Sequence, residues 1–275
     1  MKGHDFLATM AASSRERVRV ARAAENEQQL LLRAASTPQP PALKLDGFDI
    51  IAELKLHSPA AGQLQDRSFD RAAQIAAYAQ AGACAVSVLT EPDAFHGDLS
   101  HLTAAAQALA PSQIPAMRKD FLTDPYQVLE ARAAGAGGVL VIVTMLDDAT
   151  VGELLQCAEE QGLFVLLEGF DKADLARIQT LASARRTQPL LAGVNCRDLT
   201  NLNVDFQRFE SISDALPGDL PTVAESGIST PEDIRVIVRL GYRLALIGSA
   251  LMTAGNPQHT LAEFLRTGRN AVNSA

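Results

Sequence analysis

The stretch RAAQIAAYAQAGACAVSVL, residues 71–89, joins a helical pattern directly to a strand-like one. Its first half carries apolar residues at helical spacing and ends at Gly82, a position where a left-handed glycine commonly terminates a helix. The run ACAVSVL that follows is short, apolar and rich in β-branched residues, which is typical of a buried strand. The stretch therefore predicts one helix and one strand of a β/α unit.

The same alternation continues from residue 48 to the end of the chain, with Gly135, Gly162 and Gly241 closing other helical segments as Gly82 closes the first. Eight β/α units in one series favour a closed (β/α)8 TIM barrel over an open doubly wound sheet, which usually stops at five or six strands. The eight strand-like runs are FDIIAEL (48–54), ACAVSVL (83–89), IPAMR (114–118), GVLVIV (138–143), LFVLLE (163–168), LLAGVN (190–195), PTVAE (221–225) and LALIG (244–248).

Residues 1–45 precede the first strand and contain two helical segments that end at the breaker TPQPPA, residues 37–42. No linker or low-complexity stretch divides the rest of the chain. We predict a single domain over residues 1–275, with an N-terminal helical extension over 1–45 packed onto a barrel over 46–275.

The composition limits the classes of partner. With 47% hydrophobic and 20% charged residues in 275, the chain is typical of a globular protein. A net charge of −8 without a basic block argues against nucleic acid, and no apolar run approaches the roughly 20 residues of a membrane span. Three widely spaced cysteines and an N-terminus without a secretory apolar core predict free thiols in the cytoplasm. The histidines lack metal-ligand spacing.

Charged and amide residues recur where the predicted strands end, which is where barrel enzymes carry their chemistry. Glu53 and Lys55 are two residues apart, so both side chains point to one face of the first strand. A buried carboxylate and ammonium are costly unless something uses them. One such residue alone is explained more simply as the start of a solvated loop, but this recurrence predicts a polar site. The other strand-end residues are Thr90, Glu91, Lys119, Asp120, Thr144, Glu168, Asn195, Arg197 and Glu225.

A phosphate site is predicted after strands seven and eight, where Ser226-Gly227 and Gly248-Ser249 follow apolar runs. Glycine permits close approach of the backbone, whose N–H groups can face an anion. The same two loops hold phosphate in many (β/α)8 enzymes. Tight turns without a ligand are the simpler alternative.

Seven segments spread along the chain carry a resemblance to a known family: IAELKLHSP (51–59), SVLTEPDAFHG (87–97), MRKDFLTDPYQVLEARAAGA (117–136), LLEGF (166–170), GVNCRDL (193–199), VAESGI (223–228) and IGSALM (247–252). Through these segments the chain resembles the indole-3-glycerol phosphate synthase family over nearly its whole length. The chain departs from the usual family pattern at Leu56, Ala60, Gly169-Phe170 and Cys196, none of which is a candidate catalytic residue.

The resemblance implies a carboxy-lyase of tryptophan biosynthesis. It would close, decarboxylate and dehydrate 1-(2-carboxyphenylamino)-1-deoxyribulose 5-phosphate to indole-3-glycerol phosphate, CO2 and water. Lys119 would be the general acid of ring closure, and Glu53, Lys55 and Glu168 would share the acid and base duties of dehydration. The remaining two catalytic candidates, Asn195 and Glu225, would position the substrate hydroxyls and the lysines.

The resemblance also implies how the substrate is held. Ser226, Gly227, Gly248 and Ser249 would bind its phosphate, with Lys55 adding a charge. No metal or organic cofactor is expected, since the substrate ketone acts as the electron sink, and association with neighbouring tryptophan-pathway enzymes is the macromolecular partnership implied. The remaining substrate contacts would be the slot walls Pro59, Phe95, Phe121 and Leu199 and the polar residues Ser58 and Arg197, with Phe95 and Phe121 equally compatible with ordinary core.

Two rival functions remain open from the sequence. The isomerase that acts one step earlier in the pathway is also a phosphate-binding barrel, but it would use a cysteine and an aspartate as its acid/base pair. The second rival is a non-catalytic paralogue that binds a phosphorylated ligand or a pathway partner.

Overall fold

A computed structural model describes residues 3–58, 62–63, 69–185, 188–198 and 203–274, and it contains the predicted closed barrel. All neighbouring strands are parallel, and the first strand closes the barrel by pairing with the last. The strands are β1 (Asp49–Leu54), β2 (Ala85–Leu89), β3 (Ala116–Lys119), β4 (Gly138–Ile142), β5 (Phe164–Gly169), β6 (Leu190–Asn195), β7 (Thr222–Glu225) and β8 (Leu244–Ile247).

Helices separate the strands and cover the outside of the barrel, while two more precede β1. A short two-stranded ribbon, His57–Ser58 with Gly62–Gln63, follows β1. The helices are α1 (Gly3–Ala24), α2 (Glu27–Ser36), α3 (Arg71–Ala81), α4 (Leu99–Leu109), α5 (Pro125–Ala133), α6 (Asp148–Glu160), α7 (Lys172–Ser183), α8 (Arg208–Ser211), α9 (Pro231–Arg239), α10 (Ser249–Met252) and α11 (Pro257–Asn273).

The helix ends predicted at glycines are confirmed. The four glycines predicted to end helices all have positive φ, for example +93° at Gly82, and the side chain of Thr230 accepts a hydrogen bond from the backbone N–H of Asp233 in a capping box. The run FQRFESISDAL, residues 206–216, has a sequence pattern that predicts one long helix, and this prediction is wrong. The chain forms one α-helical turn and then a 3-10 turn, and the Ser213 hydroxyl donates to the Glu210 carbonyl, a local bond that competes with a continuing helix.

The N-terminal extension lies on the β3–α5 side of the barrel. Leu30 of α2 is fully buried, and the Tyr126 hydroxyl of α5 donates to the Glu25 carbonyl at 2.7 Å. The Arg132 guanidinium of α5 donates to the carbonyls of Thr37 and Pro38, which fixes the chain as it leaves α2. The extension is therefore packed against the barrel, as the sequence predicted.

The barrel interior is filled by side chains below its mouth. Inward-facing residues such as Ile51, Met117, Leu166 and Val223 form one cluster there, and a second cluster lies between the strands and the outer helices. The layers leave open space at the carboxyl ends of the strands, where a barrel enzyme carries its active site. In the part of the chain that the structure describes, no helix has the length and apolarity needed to span a membrane.

Candidate active site

A cavity of about 440 Å³ opens at the carboxyl ends of the strands, a volume suited to a small-molecule ligand. Ser58 lies in the short ribbon after β1, and Pro59 and Leu199 lie outside the described residues. All the other predicted site residues line this one cavity: Glu53, Lys55, Phe95, Lys119, Phe121, Glu168, Asn195, Arg197, Glu225, Ser226, Gly227, Gly248 and Ser249.

Lys119 lies at the centre of the charged groups. It is the last residue of β3, so the strand extends one residue beyond the predicted run and points this side chain inward. Its Nζ is 3.1 Å from Glu168 Oε2 and 3.4 Å from Glu225 Oε2. Burial disfavours the ammonium, but the surrounding carboxylates of Glu168, Glu225 and Glu53 raise the pKa of Lys119 above its ordinary value. Lys119 is therefore protonated at neutral pH and can donate a proton.

Asn195 links Glu168 to the loop after β7. Its Nδ2 donates to Glu168 Oε1 at 3.0 Å, and its Oδ1 accepts from the Ser226 hydroxyl at 2.9 Å and from the Arg197 N–H at 2.9 Å. The Arg208 guanidinium holds the Asn195 carbonyl from outside. The amide is thereby fixed in one orientation, and it fixes Glu168 in turn.

Glu53 and Lys55 form an ion pair at the mouth, with Nζ and Oε1 2.8 Å apart. Although burial raises the pKa of a carboxyl, the ammonium groups of Lys55 and Lys119 hold the pKa of Glu53 below its ordinary value. A Cβ at position 248 would meet Glu53 Oε1 and lie 3.2 Å from Lys55 Nζ. Gly248 thus leaves room for the pair, which lies beside the predicted phosphate loop.

Glu225 is the second carboxylate at Lys119, and it is 1% exposed. Its Oε1 has no hydrogen-bond partner among the described residues and lies against Gly193, where any Cβ would clash with it. Burial and the neighbouring Glu168 charge raise the pKa of Glu225 to about 8, against the attraction of Lys119.

The loop after β7 has a left-handed backbone conformation at two successive residues. Ser226 and Gly227 have φ of +70° and +73°, a conformation that only glycine adopts without strain. A Cβ at 227 would lie 2.7 Å from Val204 Cγ1 and 3.0 Å from Cys196 Sγ. Glycine is therefore required there both by conformation and by space.

Three phenylalanines form an apolar wall of the cavity. The rings of Phe95 and Phe121 are 6.2 Å apart, and Phe6 of α1 meets Phe121 edge-on at 5.9 Å. The sequence pointed to Phe95 and Phe121 but missed Phe6, since nothing in an amphipathic helix marks the residue that reaches a cavity made by distant strands.

Asp120, next to Lys119, joins the extension to the site. Its carboxylate accepts two hydrogen bonds from Arg17 of α1, at 2.8 and 2.9 Å, and others from Arg118, Thr90 and the Phe121 N–H. Burial opposes the charge, but the two guanidinium groups hold the pKa of Asp120 far below its ordinary range. The sequence predicted Asp120 only as a strand-end polar residue, and it did not predict that Arg17 contacts the site.

Other strand-end residues organise loops and do not line the cavity. The Glu91 carboxylate accepts from the backbone N–H groups of residues 93–95, which places Phe95 at the wall. The Thr144 hydroxyl donates to Asp174, which also accepts from the Phe170 N–H and packs against Gly169. The loop that follows Glu168 is held by these contacts.

The three cysteines are free thiols, and none of the described residues that line the cavity is a cysteine. No cluster of histidine, cysteine, aspartate or glutamate side chains suited to a metal ion occurs within the described ranges.

Comparison with known proteins gives one consistent match. The family model for indole-3-glycerol phosphate synthase matches residues 7–264. Indole-3-glycerol phosphate synthase of Lacticaseibacillus paracasei is 37% identical over 81% of this chain and 82% of its own. The Salinibacter ruber protein of the same name is 42% identical over 83% and 81%.

Solved structures with low sequence identity share the fold. 3-Hexulose-6-phosphate synthase from Salmonella typhimurium has a TM-score of 0.62 at 14% identity and covers 82% of this chain and 100% of its own. Thiamine phosphate pyrophosphorylase from Pyrococcus furiosus has a TM-score of 0.57 at 15% identity, over 83% and 96%.

Proposed function

Because this chain belongs to the indole-3-glycerol phosphate synthase family, we propose that the cavity at its barrel mouth is the active site and that Lys119 starts the reaction there. The family assignment makes the chain a decarboxylating lyase of tryptophan biosynthesis. It converts 1-(2-carboxyphenylamino)-1-deoxyribulose 5-phosphate to indole-3-glycerol phosphate, CO2 and water. The single observation that supports the role of Lys119 is the position of its ammonium in the cavity, 3.1 Å from Glu168 Oε2 and 3.4 Å from Glu225 Oε2.

Ring closure comes first, when an aryl carbon attacks the substrate ketone and negative charge develops on the ketone oxygen. Lys119 protonates that oxygen, because its raised pKa keeps it charged until the stronger base appears beside it. The cleaved bond of the departing CO2 then returns its electron pair to the ring. This step needs no protein base, only a site that excludes water.

Dehydration requires an acid for the leaving hydroxyl and a base for the proton on the neighbouring ring carbon. Glu53 and Glu168 are the carboxylates available, with Lys55 as an ammonium at the mouth. Asn195 orients Glu168 and is within reach of a substrate hydroxyl. We assign these four residues to the second half of the reaction as a set, since all four line the same cavity.

Ser226, Gly227, Gly248 and Ser249 hold the phosphate. The close backbone approach at Gly227 and the proximity of Lys55 to Gly248 support this assignment. Phe95 and Phe121, with Phe6, form the slot for the aromatic ring, and Arg197 faces the same space as a cationic contact for the substrate carboxylate or a hydroxyl. Lys55 and Arg197 provide local positive charge in the cavity, although the net charge of the whole chain is negative.

The extension and the barrel form one domain in this proposal, supported by the bond from Arg17 to Asp120. A cytoplasmic location and association with neighbouring tryptophan-pathway enzymes belong to the same proposal. Free thiols support the first, and the pathway role supports the second. Co-purification of the tagged chain with its pathway neighbours tests the association.

A turnover assay tests the function. Purified protein is mixed with the carboxyphenylamino substrate, and indole fluorescence is followed with time, with Lys119→Met as the matched control. We expect product from the unmodified chain and none from the variant. Substrate binding without product would instead indicate the non-catalytic paralogue, and conversion of phosphoribosylanthranilate would indicate the isomerase, which a cavity without a described cysteine does not favour.

A further inference from the structure

The two carboxylates that share Lys119 are not equivalent. Glu168 uses both oxygens, one toward Lys119 and one toward the Asn195 amide at 3.0 Å. Glu225 uses only Oε2, toward Lys119 at 3.4 Å, while its Oε1 is buried against Gly193 without a donor among the described residues. One carboxylate is therefore fully supplied with donors and the other is not.

A buried oxygen without a donor is tolerated far better on a neutral acid than on an ionised one. Like charges that share one site also push one of the pair to its protonated form. Among the described residues, three charged groups act on Glu225: Glu53 from β1, Lys119 from β3 and Glu168 from β5. Burial and the two carboxylates favour the neutral form of Glu225, and Lys119 opposes it, so the pKa of Glu225 rises to about 8.

The overall reaction consumes one proton. The substrate carboxylate leaves as neutral CO2, so a negative charge disappears and a proton must be taken up. Closure adds a proton to the ketone oxygen. Dehydration is balanced, because the leaving hydroxyl gains one proton and the ring carbon loses one. The proton that the overall reaction consumes is therefore the one that Lys119 donates. Lys119 must regain a proton in every turnover.

We propose that Glu225 is protonated in the resting enzyme and transfers its proton to Lys119 after ring closure. The inference rests on the proposed role of Lys119. Once Lys119 has become a neutral amine, a rotation of the Glu225 carboxyl brings its O–H toward Nζ. The O–H bond breaks, an N–H bond forms, and the electron pair stays on Glu225 as a carboxylate. Glu225 regains a proton from water when the product leaves.

Glu225→Gln tests this step, because glutamine has the shape and neutrality of the protonated acid but no proton to give. In rapid-quench experiments at pH 7, we expect a burst of about one CO2 per site at a rate within a few-fold of the unmodified enzyme. Later turnovers should be slower by about 10²-fold or more. If the first CO2 is slowed as much as the later ones, Glu225 is an ionised partner that maintains the charge of Lys119. Full steady-state activity would equally overturn the proposal.

Infrared spectroscopy of the resting enzyme gives a second measurement that needs no substrate. We expect a protonated-carboxyl band at pH 7 that disappears with a midpoint near pH 8 and is missing in Glu225→Gln. Should that variant not fold, Glu168→Gln replaces it, since removal of the neighbouring charge should lower the midpoint. A resting enzyme without the band refutes the proposal. Failure of the proposed function is distinct, because it appears as absence of product from the unmodified chain.

Discussion

Arg17→Met tests the coupling between the N-terminal extension and the active site. The Arg17 side chain is 25% exposed and that of Asp120 is 0% exposed. Removing one partner of a fully buried ion pair costs about 3–5 kcal/mol, and an exposed pair contributes about 0–1 kcal/mol. Because Arg17 is partly exposed and Arg118 still neutralises Asp120, we expect the free energy of unfolding to fall by about 2 kcal/mol.

The substrate should also bind less well, because α1 carries Phe6 at the aromatic wall. KM should rise, by about tenfold for each 1.4 kcal/mol lost in seating the helix. Urea unfolding gives the stability, and initial rates give KM and kcat. Arg22→Met is the matched control on the same helix, since Arg22 pairs with Asp124 at 2.8 Å but is 42% exposed. If both variants lose the same stability and keep the same KM, the buried contact has no special role.

Three further predictions concern the loop after β7, the amide at the end of β6 and the acid stability. Gly227→Leu should raise KM strongly in a folded protein, because the Cβ would lie 2.7 Å from Val204 Cγ1 at a φ of +73°; unchanged kinetics would remove the phosphate from this loop. Asn195→Ala should lower kcat by about 10²-fold with less effect on KM, since Glu168 loses its amide donor. Asp120 has a lowered pKa, so its stabilisation is present above the unfolded value of 3.8 and is lost as pH falls through the folded value. Urea titrations should therefore find Asp120→Asn less stable at pH 7, and the difference should shrink below pH 4.

The barrel could be predicted because its determinants are local. Apolar runs, N-caps such as Thr230 and glycine helix ends lie within a few residues of the elements they define. The carboxyl ends of parallel strands also meet at one edge of a barrel. Knowing the strands was therefore enough to predict that Glu53, Lys119 and Glu168 would lie close together, and the structure places all three in one cavity.

What the sequence did not reveal depends on distant contacts. Arg17 and Asp120 are 103 residues apart, and an arginine on an amphipathic helix is ordinarily a solvated one. The difference between Glu168 and Glu225 arises from Gly193, a residue of a third strand whose missing side chain makes room for one carboxylate oxygen. Such asymmetry is fixed by packing, which strand-end patterns do not describe.

The central claim is that Lys119 delivers the first proton, and separate measurement of CO2 and indole in a rapid-quench experiment tests it most directly. Ring closure precedes both products, so Lys119→Met should abolish CO2 release together with indole formation. Lys55→Met is the comparison, because its ammonium lies at the mouth and pairs with Glu53; this variant should slow indole formation while CO2 is still released. Brisk CO2 release from Lys119→Met would contradict the account and assign the first proton to another group.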